Sequence, residues 1–252
     1  MRLFFKYSLL FSLSIVLLSS CVSRKNYVYL NDIEKSKSYE VAVYEPILQP
    51  DDLLSIIVSS DSPEVTVPFN LPEISGNNRE NPGLKTYLID NNGYIDFPVL
   101  GKIKMAGLSR TEANNKLVAG ISEYIKNPSV NLRIENYKVS VLGEVAKANT
   151  YNIGHERLTL LEALAMAGDI TAYGVRNNIL IIRESQGKKT FNRVDITKAE
   201  FLNSPFYYMA QNDIVYVEAN KTKINSSVIG PNIAVIFSGL SILATIALIL
   251  LR

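Results

Sequence analysis

Cysteine and histidine are almost missing from this chain. One of each occurs in 252 residues, at Cys21 and His155, so no disulfide can form within one chain and the fold must rest on its core. A metal centre built on Cys and His ligands lacks both the donors and the spacing. A hydrolytic triad could draw only on His155, which sits in a Gly-His-Glu loop with no Ser-His-Asp order around it, and a solvated loop residue is expected there. An excess of one charge sign is missing too. There are 26 basic and 24 acidic residues. Setting aside Arg2 and Lys6, which belong to a leader, leaves 24 basic against 24 acidic. A balanced chain offers no electrostatic case for nucleic acid. No metal and no cofactor is implied. Asp51 and Asp52 follow a proline and read as turn-capping groups rather than as a general acid and base.

Grease at both ends is what the chain does have. Residues 228–251, VIGPNIAVIFSGLSILATIALILL, carry no charge between Ile229 and Leu251. A helix over that run would rise roughly 33 Å at ~1.5 Å per residue, against a hydrocarbon core of ~30 Å, so a transmembrane helix is expected over 228–251. Gly230, Ala234 and Ser238 recur at every fourth position, as do Ser241 and Thr245. On a helix they form one seam of small or hydroxylated residues that favours close packing in lipid. A seam facing a lumen is the alternative, but a pore for a hydrophilic polymer would want more polar residues. At the other end Arg2 and Lys6 precede an apolar stretch over 7–18, too short to span, which reads as a signal peptide over 1–20. It ends in Leu18-Ser19-Ser20-Cys21, which resembles a bacterial lipobox. That resemblance makes Cys21 the expected lipidation site and membrane lipid a partner. Val22 rather than Asp behind the Cys favours the outer membrane. Arg252 after the apolar run would also suit an inner-membrane anchor. Residues 21–38 are expected to form a polar tether.

The body reads as α+β. Gln49-Pro50-Asp51-Asp52 is a turn before a strand through Leu54, Ile56 and Val58. Residues 63–82, rich in Pro, Gly and Asn, read as a long surface loop. Asn91-Asn92-Gly93 marks a hairpin turn. Pro98 and Gly101 break the following strand, and Gly107 precedes a capping box at Ser109 and Glu112. The helix it opens is expected to run to Lys126 with Ala113, Leu117, Ile121 and Tyr124 buried, and Asn127-Pro128 ends it. Val130, Leu132 and Ile134 alternate as another strand. A second unit repeats the pattern. A strand over 139–145 meets Gly143 and Glu144, residues 148–151 read as a turn ending in Tyr151, and Thr159 with Glu162 forms a second capping box. Its short helix closes on Gly168, and three strands follow over 178–184, 190–196 and 213–219. A small sheet crossed by one helix, twice over, makes two domains.

Two segments, IDNNGYIDFPVLGKIKMAGLSRTEA over 89–113 and VLGEVAKANTYNI through LTLLEALAMAGDI, resemble the bacterial outer-membrane polysaccharide export lipoproteins. The first resembles that family's Gly turn, Pro-x-x-Gly break and Gly-Leu-Ser before a helix. The second resembles its soluble-ligand-binding β-grasp module, with Ile181, Ile182, Arg183 and the run from Asn212 to Val217 fitting the closing strands. The likeness covers roughly 44–218. The family's Pro-Gly before the Tyr is Ala148-Asn149 here, its second Gly after the helix is Asp169, and only one β-grasp unit is present.

The resemblance implies an export domain over 39–136, a β-grasp domain over 137–222 and a non-enzymatic, homo-oligomeric ring that passes capsular or extracellular polysaccharide. It also implies an inner-membrane polysaccharide copolymerase, often with a tyrosine-kinase domain, as partner. A membrane-tethered periplasmic module that binds glycan without conducting it is the alternative.

Overall fold

The computed structural model describes residues 26–33, 44–71, 86–185, 187–229 and 233–250. The alternation of Leu54, Ile56 and Val58 produces β1 (Leu53–Ser59), whose inward side chains are at most 4% exposed. A one-turn helix α1 (Pro63–Thr66) and a 3-10 turn (Val67–Phe69) follow, so the expected surface loop over 63–82 begins with helical turns, and residues 72–82 of it lie outside the described residues. Pro at the first helical position starts α1, and Asn70 fastens its end to β1 through Val58, accepting from the amide and donating to the carbonyl at 2.9 Å each. Three short strands come next, β2 (Thr86–Leu88), β3 (Tyr94–Phe97) and β4 (Gly101–Lys104).

The turn at Asn91-Asn92-Gly93 links β2 and β3, but these lie in different sheets; the paired hairpin is β3–β4, closed around Pro98. Helix α2 (Arg110–Ile121) begins with its capping box complete: Glu112 N–H donates to Ser109 Oγ at 3.2 Å, and Ser109 N–H to Glu112 Oε2 at 2.8 Å. It buries Ala113, Leu117 and Ile121 fully, each large side chain contributing about 1.5–3 kcal/mol. The helix stops five residues short of Lys126, so Tyr124 leaves its inner face and stands 60% exposed. Strand β5 (Ser129–Ile134) then pairs antiparallel with β1, giving the order β2-β1-β5.

The second domain contains β6 (Lys138–Gly143), β7 (Asn149–Asn152), α3 (Leu160–Met166), β8 (Ile179–Ser185), β9 (Lys188–Val194) and β10 (Ile214–Val217). Its sheet runs β7-β6-β10-β8-β9, with β10 parallel to β6 and the other pairs antiparallel. Of residues 148–151, read as a turn, all but Ala148 belong to the edge strand β7, registered on β6 from Lys138 to Val141, and the reversal lies in 144–148. The capping box at Thr159 and Glu162 forms, with 2.7 Å and 3.1 Å bonds, and α3 packs Leu160, Ala163 and Leu164 onto the sheet. Two apolar cores result, one per domain, with Ile134 packed against both.

The expected transmembrane helix over 228–251 is corrected by the structure. The chain there forms two helices, α4 (Lys221–Ile229) and α5 (Ile233–Leu250), with Gly230, Pro231 and Asn232 between them in the sequence. Among the described residues no helix is long and apolar enough to cross a membrane. The 18 residues of α5 rise about 27 Å, short of a core of ~30 Å. Of the seam residues, Ser238, Ser241 and Thr245 turn their hydroxyls onto their own helix, donating to the carbonyls of Val235, Phe237 and Ser241 at 3.0, 2.8 and 2.8 Å. Gly230 and the side chain of Ala234 lie outside the described residues, as do Cys21 and the expected signal peptide.

Candidate functional site

The two domains meet through a polar junction that starts with one asparagine. Asn136 follows β5, and its side chain accepts from Leu53 N–H at 2.9 Å and donates to Asp51 O at 2.8 Å. Its own carbonyl accepts from Gln211 Nε2 at 2.8 Å, while Gln211 Oε1 accepts from Lys138 N–H at 2.8 Å. Two tyrosines close the other side. Tyr44 stacks on Tyr208 with centroids 4.8 Å apart, and the hydroxyls of Tyr44 and Tyr137 both donate to Met209 O. Bonds of this kind, most of them part-buried, favour one relative placement, since breaking one leaves a polar group shielded from water without its partner.

Asp52 lies inside this junction with no exposed surface. One oxygen accepts from Gln49 N–H at 2.9 Å and the other makes no hydrogen bond. Burial pushes its pKa up to about 6, against the pull of the Gln49 amide and the neighbouring Gln211 side chain. Its ordinary value is about 3.9. Between those two values the folded state holds the proton more tightly than the unfolded chain, so this group's contribution to stability falls as pH rises from about 4 to about 6. Asp52→Asn keeps an acceptor for Gln49 and carries no charge. Its stability, followed by thermal melting, should match wild type near pH 4 and exceed it above pH 6.5, by up to about 3 kcal/mol at ~1.4 kcal/mol per pKa unit. Parallel melting curves across that range would overturn the assignment.

Beside the junction a cleft of about 290 Å³ opens between the domains. Arg110, Arg133 and Glu135 line it from the first domain, and Tyr137, His155 and Glu156 from the second. Arg110 and Glu156 bridge its mouth at 3.4 Å, both partly solvated. His155 is an exposed loop residue here, and Asp51 and Asp52 point apart, one exposed and one buried. Among the described residues no group of three or more His, Cys, Asp or Glu converges as metal ligands would.

The motif residues of the second domain gather at the end of α3. Gly143 has φ +91° and abuts the backbone of Val217, Glu144 accepts from Thr171 Oγ1 at 2.8 Å, and Gly168 ends the helix at φ +73°. Backbone bonds from Ala146 to Asp169 and from Lys147 to Ala167 lash the loop after β6 onto that helix end. The Tyr151 hydroxyl donates to Lys147 O and holds the same loop. In the first domain Gly93, at φ +84°, accepts from Met105 and Ala106 through its carbonyl, and Gly107 donates to Leu48 O. Pro98 and Gly101 shape the β3–β4 turn some distance away. These positions set loop geometry in two separate places.

One arrangement had no counterpart in the sequence reading. Residues 26–33, within the expected tether, are docked on the second domain: Leu30 and Asn31 donate to Ile196 O and Thr197 O, and Asp32 accepts from Ala199 N–H. Arg176, only 4% exposed, donates to the carbonyls of Ile170, Thr171 and Gly174, and its guanidinium faces the rings of Tyr27 and Tyr29 at 4.1 and 5.6 Å. The same loop binds the approach to α4, through Val175 to Glu218 O, Asn220 to Tyr173 O and Lys223 over the Tyr173 ring. Both ends of the body thus leave from one loop. The alternating tyrosines Tyr27 and Tyr29 within a polar stretch were the available signal, and their partner Arg176 lies too far along the chain to have been read with them.

Two sheet-and-helix domains joined by a fixed polar junction, the first with a Gly-turn hairpin and the second with a mixed five-stranded sheet, define the class. A family model described as a polysaccharide biosynthesis/export protein matches residues 40–135, and one described as an SLBB domain matches residues 137–217. The chain belongs to the polysaccharide export family. It is similar to the EPS I polysaccharide export outer membrane protein EpsA of Ralstonia nicotianae, at 29% identity over 197 residues covering 72% of this chain and 50% of the relative. Against the protein of the same name in Ralstonia solanacearum the identity is 28% over 192 residues, with the same coverage. The chain spans about half the length of these curated relatives.

Proposed function

We propose that this protein is the outer-membrane component of a polysaccharide export assembly, held by lipid at Cys21 with its two domains in the periplasm. The observation that carries this reading is the ordered pair of family matches, export domain then SLBB domain, across 40–217. The names of the two relatives support export and the outer membrane. Identical copies form a ring whose axis passes an extracellular or capsular polysaccharide, and an inner-membrane polysaccharide copolymerase, with or without a tyrosine-kinase domain, docks below. The protein moves its polymer without chemistry on it. Deleting the gene should remove polysaccharide from the cell surface and leave polymer behind in the periplasm. Unchanged surface polysaccharide would overturn the reading. Metabolic labelling with tritiated palmitate should mark the wild-type chain in the outer-membrane fraction and leave Cys21→Ser unlabelled.

A second reading, a tethered module that binds glycan without conducting it, is favoured by the cleft between Arg133 and His155, whose roughly 290 Å³ would admit one or two sugar units. The two differ in outcome: a binding module lacks an axial opening when its assembly is imaged by electron microscopy.

A further inference from the structure

A sheet with a helix on one face leaves the other face to water, and that second face is then polar. The second domain departs from this pattern. Val139, Val141, Ile179, Ile181, Val215 and Val217 form the covered face and are at most 1% exposed. On the opposite face the strand register places Leu142, Tyr216 and Leu180 in one row and Ile214, Ile182 and Phe191 in the next. Leu142 is 42% exposed, Tyr216 40% and Phe191 65%, and the other three are half-buried. Six apolar side chains in adjacent rows across four strands make a contiguous patch of the kind that marks a contact surface.

The first domain carries a matching projection. α1 and the 3-10 turn after it expose Val65 and Val67, at 47% and 68%, and the exposed ring of Tyr124 leans on Phe69 nearby. The charges are complementary. Around the patch Glu184 pairs with Lys189 and Glu218 with Arg193, which leaves Lys138 in excess on this face among the described residues. In and beside these elements Asp61, Glu64 and Glu123 outnumber Lys126 among the described residues.

We propose that the open face of the second-domain sheet receives the Val65–Val67–Tyr124 projection of a second copy of this chain. The inference rests on the ring reading above and names the surfaces that build it. The two surfaces differ and lie in different domains, so each copy gives one and receives one, the head-to-tail contact that closes rings. Pairing of the sheet face with itself would bring two copies of the unpaired Lys138 together. Among the described residues the six apolar side chains offer a glycan the Tyr216 hydroxyl alone, since Ser140 and Arg193 at the ends of the two rows are already engaged with Thr150 and Glu218.

The test uses the full chain purified in mild detergent, with mass measured by light scattering and folding by circular dichroism. Phe191→Glu and Val67→Glu change exposed positions and should melt as wild type does. Each should weaken assembly at least ~30-fold, as loss of a central contact does. Mixed together, the two variants retain one intact contact between them and should form a heterodimer. A monomeric wild type would overturn the ring reading itself. A wild-type oligomer unaffected by both variants, or broken by Phe191→Glu but not by Val67→Glu, would leave that reading standing and overturn this one.

Discussion

Gly143→Ala should leave the second domain unfolded or nearly so, with its yield and melting temperature sharply reduced. The glycine ends β6 at φ +91°, where an L side chain costs about 1–2 kcal/mol. The larger cost is steric. A Cβ at this position would sit 2.0 Å from the Val217 carbonyl oxygen and 2.9 Å from its carbon, both backbone atoms of β10. β10 cannot retreat, since it is hydrogen-bonded to β6 on one side and β8 on the other in the centre of the sheet. Overpacking a rigid site adds about 1–3 kcal/mol. Together the loss is about 2–5 kcal/mol, and at about 4–8 °C per kcal/mol in a domain of this size the transition drops by roughly 10–40 °C. Gly187→Ala is the control. It has φ +71° and nothing within 4 Å of the added atom, so only the conformational cost of about 1 kcal/mol applies. Equal melting of the two variants would show that the approach of Val217 is not what requires glycine at 143.

Local rules made much of this architecture readable. Alternation at Leu54, Ile56 and Val58 gave a strand with one buried face, and two Ser/Thr-x-x-Glu sequences set the starts of α2 and α3 because each pairs two orphan donors within four residues. What was not readable depends on residues far apart in the chain. Nothing local says that β10 will lie parallel to β6, or that Asn136 will meet Gln211 and bury Asp52 beside them. Hydropathy alone also misjudged the carboxyl-terminal run, because an average over 228–251 does not register that the helix is divided into α4 and α5. Tyr124 failed for a related reason: the period of α2 continues in the sequence past the point where the chain leaves the helix. One signal was present and passed over. The run Ile179, Leu180, Ile181, Ile182 is apolar on both parities, and a strand with one wet face should alternate. That run is the centre of the open sheet face.

Arg183→Met should destabilise the second domain by about 3–5 kcal/mol at neutral pH and much less in acid. Asp213 has no exposed surface, and Arg183 binds it through two nitrogens, Nε to Oδ1 at 3.0 Å and Nη2 to Oδ2 at 2.7 Å. Ala210 N–H donates a further bond at 2.7 Å, and Arg183 reaches on to Tyr208 O at 2.9 Å. Burial raises the Asp213 pKa and the guanidinium opposes that rise. Methionine fills the space of the arginine stem but leaves the carboxylate without its counter-charge, so the folded-state pKa climbs further. An acid whose folded pKa exceeds its unfolded value loses stability as pH rises through the interval between them, and below that interval the protonated group costs little. The gap between variant and wild type in urea midpoints should therefore be small near pH 4 and widen to its full size by pH 8. Arg183→Met combined with Asp213→Leu removes both charges and should recover most of the loss, since an apolar pair of similar volume replaces a buried ion pair at little cost. A deficit independent of pH, or one the double variant does not relieve, would mean that the contact with Tyr208 rather than the ion pair is what Arg183 contributes.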